Sequence, residues 1–168
     1  LGRETRYQTD AVGNVTNLTL PGGQIIGMAY DAEGNLMRLE GPDGQAEAYR
    51  YDALGGLVEW KDARGETWTV ERSPMGRVTA TTDPLGRTNR YAYNSNGWLA
   101  QRTYPDGATR TFQYDLDGNV IAEVFAVAGA SGGETNAFVY DVRGKLVAAD
   151  GLGLARDNLG RVVQTTCH

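Results

Sequence analysis

Apolar and polar positions alternate along short segments of this chain, and the alternation restarts at regular intervals. In the segment Ala46–Tyr51, Tyr49 and Tyr51 share one side of an extended chain. Ala48 and Arg50 fall on the other side. A period of two predicts a β-strand with one face turned toward a buried surface. Because no stretch of eleven residues shows the period of an amphipathic helix, we expect strands along the whole chain.

The same alternation returns in successive segments and predicts an aromatic ladder on one face of a sheet. The residues expected to form this structural ladder are Tyr30, Tyr49, Tyr51, Trp68, Tyr91, Tyr93, Phe112, Tyr114, Phe138 and Tyr140. The opposite face is predicted to be small or polar. In the alternate segments, such as Leu36–Glu40, apolar residues often stand three apart, which indicates a β-bulge or a strong twist.

Turn residues recur between these segments every 21 positions as far as Gly118, and the next turn follows after 26 positions. Asp, Asn or Ser precedes a Gly by three residues, and a short side-chain oxygen can accept backbone N–H groups to close a turn. Gly then supplies the left-handed conformation. Since Asp, Asn and Ser share this ability, we interpret the position as structural rather than catalytic. The predicted turn residues are Asp10, Gly13, Asp31, Gly34, Asp52, Gly55, Ser73, Gly76, Asn94, Gly97, Asp115, Gly118, Asp141 and Gly144.

A second series of glycines lies between the first, so turns come every 10 or 11 residues. Its members are Gly23, Gly44, Gly65, Gly86 and Gly107. About six residues remain between turns, which is the length of a strand. The predicted fold is therefore all-β: an antiparallel strip of repeated 21-residue β-hairpins, coiled by strand twist. We expect residues 1–168 to form a single array of about seven to eight hairpins and some fifteen strands, with a long hairpin loop at 126–133 and an irregular short terminal repeat at 147–168.

Composition and charge exclude several classes of protein. The 23 glycines agree with many tight turns, and 40% apolar residues permit burial. The net charge of −5 argues against a nucleic-acid partner. No apolar run approaches the ~20 residues of a membrane helix. The single cysteine, Cys167, excludes an internal disulfide, and a start at Leu1 without Met suggests a piece of a longer polypeptide.

Candidate chemistry was sought in acidic, thiol and imidazole groups. The segment Asp115–Asn119 has some likeness to a calcium loop, but its twelfth position is Ala126 instead of the required Glu. His168, the only histidine, is adjacent to Cys167, which gives neither a dyad nor a metal site. No two carboxylates stand out as a catalytic pair. We therefore predict no catalytic residue, no metal site and no cofactor.

Four segments carry a likeness to a known family: Tyr49–Leu57, Tyr91–Leu99, Phe112–Val120 and Phe138–Leu146. Each reads as an aromatic pair, Asp or Asn, Gly and an aliphatic residue, and resembles the YD repeat of the RHS family. That family includes bacterial Rhs polymorphic toxins and the C-type shell proteins of Tc toxins, and it is related to the teneurin YD shell. The turn at 83–86 resembles part of the family's self-cleavage motif, but it occupies an ordinary repeat position and is interpreted as a turn.

The resemblance implies a non-enzymatic fragment of a β-shell that encapsulates the C-terminal toxin domain of a secreted bacterial toxin. Its implied partners are the remaining repeats and the cargo domain of the parent polypeptide, which would be secreted or located at the cell surface. Open sheet edges also suggest self-association. The alternative is a cell-surface adhesion or glycan-binding module, in which Trp60, Trp68 or Trp98 would stack on sugar. An enzyme is the third hypothesis.

Overall fold

The computed structural model describes residues 4–130, 132–150, 152–157 and 161–167. All the regular secondary structure within these ranges is β-strand, and the strands pair in antiparallel fashion. This confirms the predicted all-β fold class. The described residues include no helix able to cross a membrane. The chain divides into two compact units, residues 1–88 and 89–168, and each is described by itself.

The first unit contains eight strands in which each strand pairs with the one before and the one after it in sequence. They are β1 (Arg6–Thr9), β2 (Val15–Thr19), β3 (Ile25–Tyr30), β4 (Leu36–Glu40), β5 (Ala46–Tyr51), β6 (Leu57–Lys61), β7 (Thr67–Arg72) and β8 (Val78–Thr82). Their connections are the short turns predicted from the two glycine series, so neighbouring strands are joined as hairpins.

The second unit repeats the arrangement, and its boundary falls at the first residue of β9. Its strands are β9 (Thr88–Tyr93), β10 (Leu99–Thr103), β11 (Thr109–Tyr114), β12 (Val120–Ala126), β13 (Glu134–Tyr140), β14 (Leu146–Ala149), β15 (Leu152–Arg156) and β16 (Val162–Cys167). Each again pairs with its sequence neighbours inside the unit.

A β-bulge follows each turn of the first glycine series, called Asp-type turns below, as the three-residue spacing of apolar positions predicted. In the β3–β4 pair, Ala29 is opposite Arg38 while Tyr30 is opposite Leu36, so Met37 is the extra residue. The bulge lets Leu36 and Leu39 share one face although they are three apart. The register shifts in the same way in the other pairs that such turns join.

One predicted boundary needs correction. The long loop does not begin at residue 126, because the backbone of Ala126 pairs with Thr109 as the last residue of β12. It begins instead at Val127. The described residues contain sixteen strands, close to the number expected, and the terminal segment supplies β15 and β16.

The terminal repeat is short because its hairpin connection is short. Ala149 pairs with Leu152, which leaves two residues between β14 and β15. Asp150 takes the first of these positions with a φ of +46°, a left-handed conformation that Asp tolerates better than most residues. His168, the single histidine of the sequence, lies outside the described residues.

Neither unit has a core of large buried side chains. Among the described residues, only Ala80 and Ala108 are buried apolar residues, and no large side chain is fully buried. The ladder aromatics are half-buried. A globular domain normally packs at least two layers around one core. Each unit is therefore a sheet without a second packed layer of its own among the described residues.

Candidate functional site

The Asp-type turns share one hydrogen-bonding arrangement, shown by the turn at Asp31. Its Oδ1 accepts the backbone N–H groups of Glu33 (3.1 Å) and Asn35 (2.8 Å). Its Oδ2 accepts the side-chain amide of Asn35 at 3.0 Å. Gly34 closes the turn by donating its N–H to the Asp31 carbonyl oxygen at 3.1 Å, with a φ of +86°. Both carboxylate oxygens are thus occupied by donors of the turn itself.

The pKa of Asp31 is lowered by this arrangement. The Asn35 side-chain amide makes the largest contribution, partial desolvation opposes it, and the backbone N–H groups of Asn35 and Glu33 add to it. The pKa of Asp115 is lowered in the same way, with the side-chain amide of Asn119 first among the causes. A general acid needs a pKa near the working pH. The pKa values of Asp31 and Asp115 are shifted in the opposite direction.

All the predicted turn residues lie at turns, spread along each unit rather than brought together. In each predicted turn the Gly donates its N–H to the carbonyl oxygen of the Asp, Ser or Asn three residues earlier. Ser73 Oγ accepts the Arg77 N–H at 3.2 Å, and Asn94 Oδ1 accepts the Trp98 N–H at 2.9 Å. Asp, Ser and Asn at this position therefore all supply a side-chain oxygen that accepts the backbone N–H of the residue four positions later. The turn at 83–86 has the same geometry, since Gly86 donates to the carbonyl oxygen of Asp83 at 2.9 Å.

The second aromatic of several repeats binds the backbone of an earlier hairpin through its hydroxyl group. Tyr30 Oη donates to the carbonyl oxygen of Val15 at 3.0 Å, and Tyr114 Oη donates to that of Leu99 at 2.7 Å. In the repeat that contains the long loop, Tyr140 Oη reaches the carbonyl oxygen of Val120 at 3.0 Å. The ladder therefore combines apolar packing with a bond that links one hairpin to the next.

Arg72 takes the place of the second aromatic in its repeat and makes the equivalent bond. Its Nε lies 3.2 Å from the carbonyl oxygen of Leu57, and its Nη1 lies 2.9 Å from that of Gly76. Its guanidinium is also 4.0 Å from Asp52 Oδ2. Gly56 provides the space, because a Cβ there would stand 2.7 Å from the Arg72 Nε. The sequence shows Arg in place of the aromatic residue, but the hydrogen bonds of Arg72 are seen only in the structure.

The tryptophans pack against other aromatic rings of the sheet. Trp60 and Trp68 are opposite each other on β6 and β7, and their rings stack with centroids 4.3 Å apart at 18°. Tyr49 is opposite Trp60 on β5 and extends the row. The Trp98 ring lies 5.1 Å from that of Tyr114. A ring that stacks on a neighbour offers less of its surface to a sugar.

Two arginines, Arg102 and Arg110, lie directly opposite each other on β10 and β11. Tyr91 is opposite Arg102, and Phe125 is opposite Arg110, so the four form one cross-strand row. The Cζ atom of Arg102 is 5.8 Å from the ring centroid of Tyr91 and 4.4 Å from that of Tyr104. The Cζ atom of Arg110 is 5.9 Å from that of Phe125. These five residues are called the arginine patch below.

The arginine patch has more positive than negative charge in direct contact. Arg110 Nη1 is 2.5 Å from Glu123 Oε1, which gives one ion pair. Arg102 instead donates from Nε and Nη2 to Asn89 Oδ1, at 3.2 and 2.9 Å, and this acceptor is a neutral amide. Arg110 Nε is buried without a hydrogen-bond partner. Sequence reasoning missed this group, although Arg110 stands two residues before Phe112 and shares its face by strand alternation.

The described residues show no cluster of three or more His, Cys, Asp or Glu side chains able to hold a metal ion. Three other groups of residues stand out: the Asp-type turns, the aromatic ladder and the arginine patch. The Asp-type turns and the ladder form structural contacts that are repeated along the chain. The described residues contain two buried side-chain donors without a hydrogen-bond partner, Trp60 Nε1 and Arg110 Nε, and the second belongs to the arginine patch.

Comparisons with known proteins agree with this geometry. A family profile described as the teneurin YD-shell matches residues 22–165. The chain is similar to the crystal structure of TcdB2-TccC3 without its hypervariable C-terminal region, with 18% identity and a TM-score of 0.68 over 98% of this chain and 11% of that one. A structure of the Photorhabdus luminescens Tc holotoxin pore matches with 18% identity and a TM-score of 0.65 over 98% of this chain and 11% of that one.

At a sequence identity of 18%, these structural matches establish a likeness of fold and nothing more. The chain spans about a tenth of the length of the solved chains that it matches. No curated protein matches it by sequence.

Proposed function

Because the chain belongs to the teneurin YD-shell family, we propose that it is a wall segment of a larger β-shell that encloses the C-terminal toxin domain of a secreted bacterial toxin. The shell would be completed by further repeats of the same polypeptide. Its task would be steric: a wall of hydrogen-bonded strands separates the enclosed domain from solvent and proteases.

The observation that carries this proposal is the uninterrupted repeat of one hairpin inside each unit. Strand pairs with strand in sequence order, and the tyrosine hydroxyls bind carbonyl oxygens of the preceding hairpin. The lack of large buried side chains among the described residues also supports a wall, because neither unit has a second packed layer of its own there.

A non-catalytic role for this segment agrees with the turns. The carboxylates of Asp31 and Asp115 each accept hydrogen bonds on both oxygens, and their pKa values are lowered. We propose that activity against a target belongs to a domain outside residues 1–168. Export to the cell exterior, or display on the bacterial surface, is part of the same proposal.

Limited proteolysis of the full-length polypeptide tests enclosure. The enclosed domain should survive a protease dose that degrades the same domain expressed alone. Replacing Trp60 and Trp68 with Ser should make it sensitive, because the substitutions remove the stacked pair from the wall. Equal degradation of the free and the shell-linked domain would refute enclosure.

A glycan array with residues 1–168 addresses the alternative of a glycan-binding module. The wall proposal predicts no specific glycan binding. Specific binding that is lost in Trp98→Ala would favour the alternative instead.

A further inference from the structure

The arginine patch brings together two guanidinium groups that repel each other. Arg102 and Arg110 are directly opposite on adjacent strands, a position in which Cβ atoms are about 5 Å apart. Like charges at such positions destabilise a sheet. One carboxylate, that of Glu123, contacts the pair and binds Arg110. The described residues therefore leave Arg102 without a carboxylate partner.

The hydrogen bonds of Arg102 and Arg110, like their charges, leave room for a further acceptor. Arg102 uses two of its N–H-bearing nitrogens on the single oxygen Asn89 Oδ1. Arg110 keeps a buried Nε without an acceptor. A guanidinium group presents five donors in a planar fork that matches an oxyanion. In its contact with Asn89, Arg102 uses its Nε and Nη2 but not its Nη1, and 40% of the Arg110 side chain is exposed. The two side chains therefore present terminal N–H groups, rather than the buried Arg110 Nε, to an incoming oxyanion.

The surroundings favour a carboxylate carried on a polypeptide. Tyr91, Tyr104 and Phe125 surround the arginines with ring surface. Such rings can pack against the apolar parts of an extended peptide while the guanidinium groups bind its acid. Glu134 is exposed and lies opposite Phe125, in the next position of the row. Its negative charge therefore marks the end of the positively charged surface on that side.

We propose that the arginine patch is a docking site for the side-chain carboxylate of an acidic polypeptide segment held against this face of the sheet. The charge is complementary, since two arginines face one contacting glutamate. The proposal rests on the proposed function only in taking the enclosed polypeptide as the source of that segment. The site would fix a point of the enclosed chain against the wall.

Binding of a blocked decaglutamate peptide to residues 1–168, measured by isothermal titration calorimetry at about 20 mM salt, tests the site. Arg102→Gln and Arg110→Gln should each weaken binding by about tenfold or more, as expected when a hydrogen bond to a charged group is lost. Glu123→Gln should strengthen binding, because it releases Arg110 from its ion pair. Arg90→Gln is the matched control, since Arg90 is exposed on β9 and alternates to the opposite face from Tyr91.

Two further probes make the outcome decisive. Decaglutamine should not bind, and inorganic phosphate should bind more weakly than the peptide. Decaglutamate binding that is unchanged in both Arg102→Gln and Arg110→Gln, or weakened by Glu123→Gln, would overturn the proposal. Tighter binding of phosphate with the same arginine dependence would also overturn it and assign the patch to phosphate ligands. Since the assay uses a free peptide, its failure is distinguishable from loss of protease protection in the full-length polypeptide.

Discussion

The side chain of Arg72 occupies the space that a side chain on Gly56 would fill. A Cβ on Gly56 would stand 2.7 Å from the Nε and 2.9 Å from the Cδ of Arg72. Other turns of the same type carry Asn at this position, as at Asn35 and Asn119, and an aromatic at the position of Arg72. The two departures from the repeat therefore compensate for each other in space, although they are 16 residues apart in sequence.

Gly56→Asn should destabilise the protein by about 2 kcal/mol, because the new side chain displaces Arg72 and overpacks the turn. The measurement is the free energy of unfolding in urea. The double variant Gly56→Asn with Arg72→Tyr restores the pair found in other repeats and should recover most of the loss. Additive effects in this double-mutant cycle would show that the two positions are not coupled.

Gly34→Ala should cost about 1–2 kcal/mol, because residue 34 has a φ of +86° and a left-handed conformation strains any residue with a Cβ. A Cβ there would meet no atom within 4 Å, so backbone strain is the only cause. Gly22→Ala, outside the left-handed region, is the control and should change the free energy of unfolding little. An equal loss in both variants would contradict this explanation.

The stability of the protein should fall at acid pH through the turn carboxylates. The pKa of Asp31 is lower in the folded protein than the ordinary value of 3.8, chiefly through the Asn35 side-chain amide. The unfolded chain therefore takes up the proton first on acidification. The stabilisation is complete above pH 3.8 and is lost as the pH falls through the folded-state pKa.

Urea unfolding from pH 7 to pH 2 measures this dependence, with Asp31→Asn as the comparison. Asn can still accept backbone N–H groups, as Asn94 does, but it does not titrate. The free energy of unfolding of the Asp31→Asn variant should therefore fall less between pH 7 and pH 2. Identical pH profiles for the two proteins would exclude a role of Asp31 in acid stability.

Tyr114→Phe should cost about 1 kcal/mol, because it removes the hydroxyl that donates to the Leu99 carbonyl oxygen at 2.7 Å. The ring and its contact with Trp98 remain. Tyr7→Phe is a suitable control, since Tyr7 is 65% exposed and should be insensitive to the change. If both substitutions change the urea midpoint equally, the hydrogen bond from Tyr114 Oη to the Leu99 carbonyl oxygen does not stabilise the sheet.

The sequence was sufficient for features that repeat within one hairpin. The 21-residue period predicted strands such as Ala46–Tyr51, and the three-residue spacing of Leu36 and Leu39 predicted the bulge. These features depend on local turn chemistry and on the alternation of side chains along a strand. They can therefore be deduced from a single repeat.

Individual side-chain contacts and the exact register of some strands were not predicted. The second oxygen of the turn carboxylate binds Asn14, Asn35 or Asn119, residues that the repeat displayed without revealing their role. The position of Arg102 opposite Arg110 depends on the register across a turn. The backbone of Ala126 continues the pairing of β12, which its side chain does not indicate.

The central claim is that this chain forms part of the wall of a larger shell. Electron cryo-microscopy of the full-length polypeptide tests it most directly. We expect the outer edges of β1 and β16 to pair with strands of neighbouring repeats, and density for a separate domain to lie inside a closed lumen. Edges left without partners, or an enclosed volume that is empty while the C-terminal domain lies outside, would contradict the account.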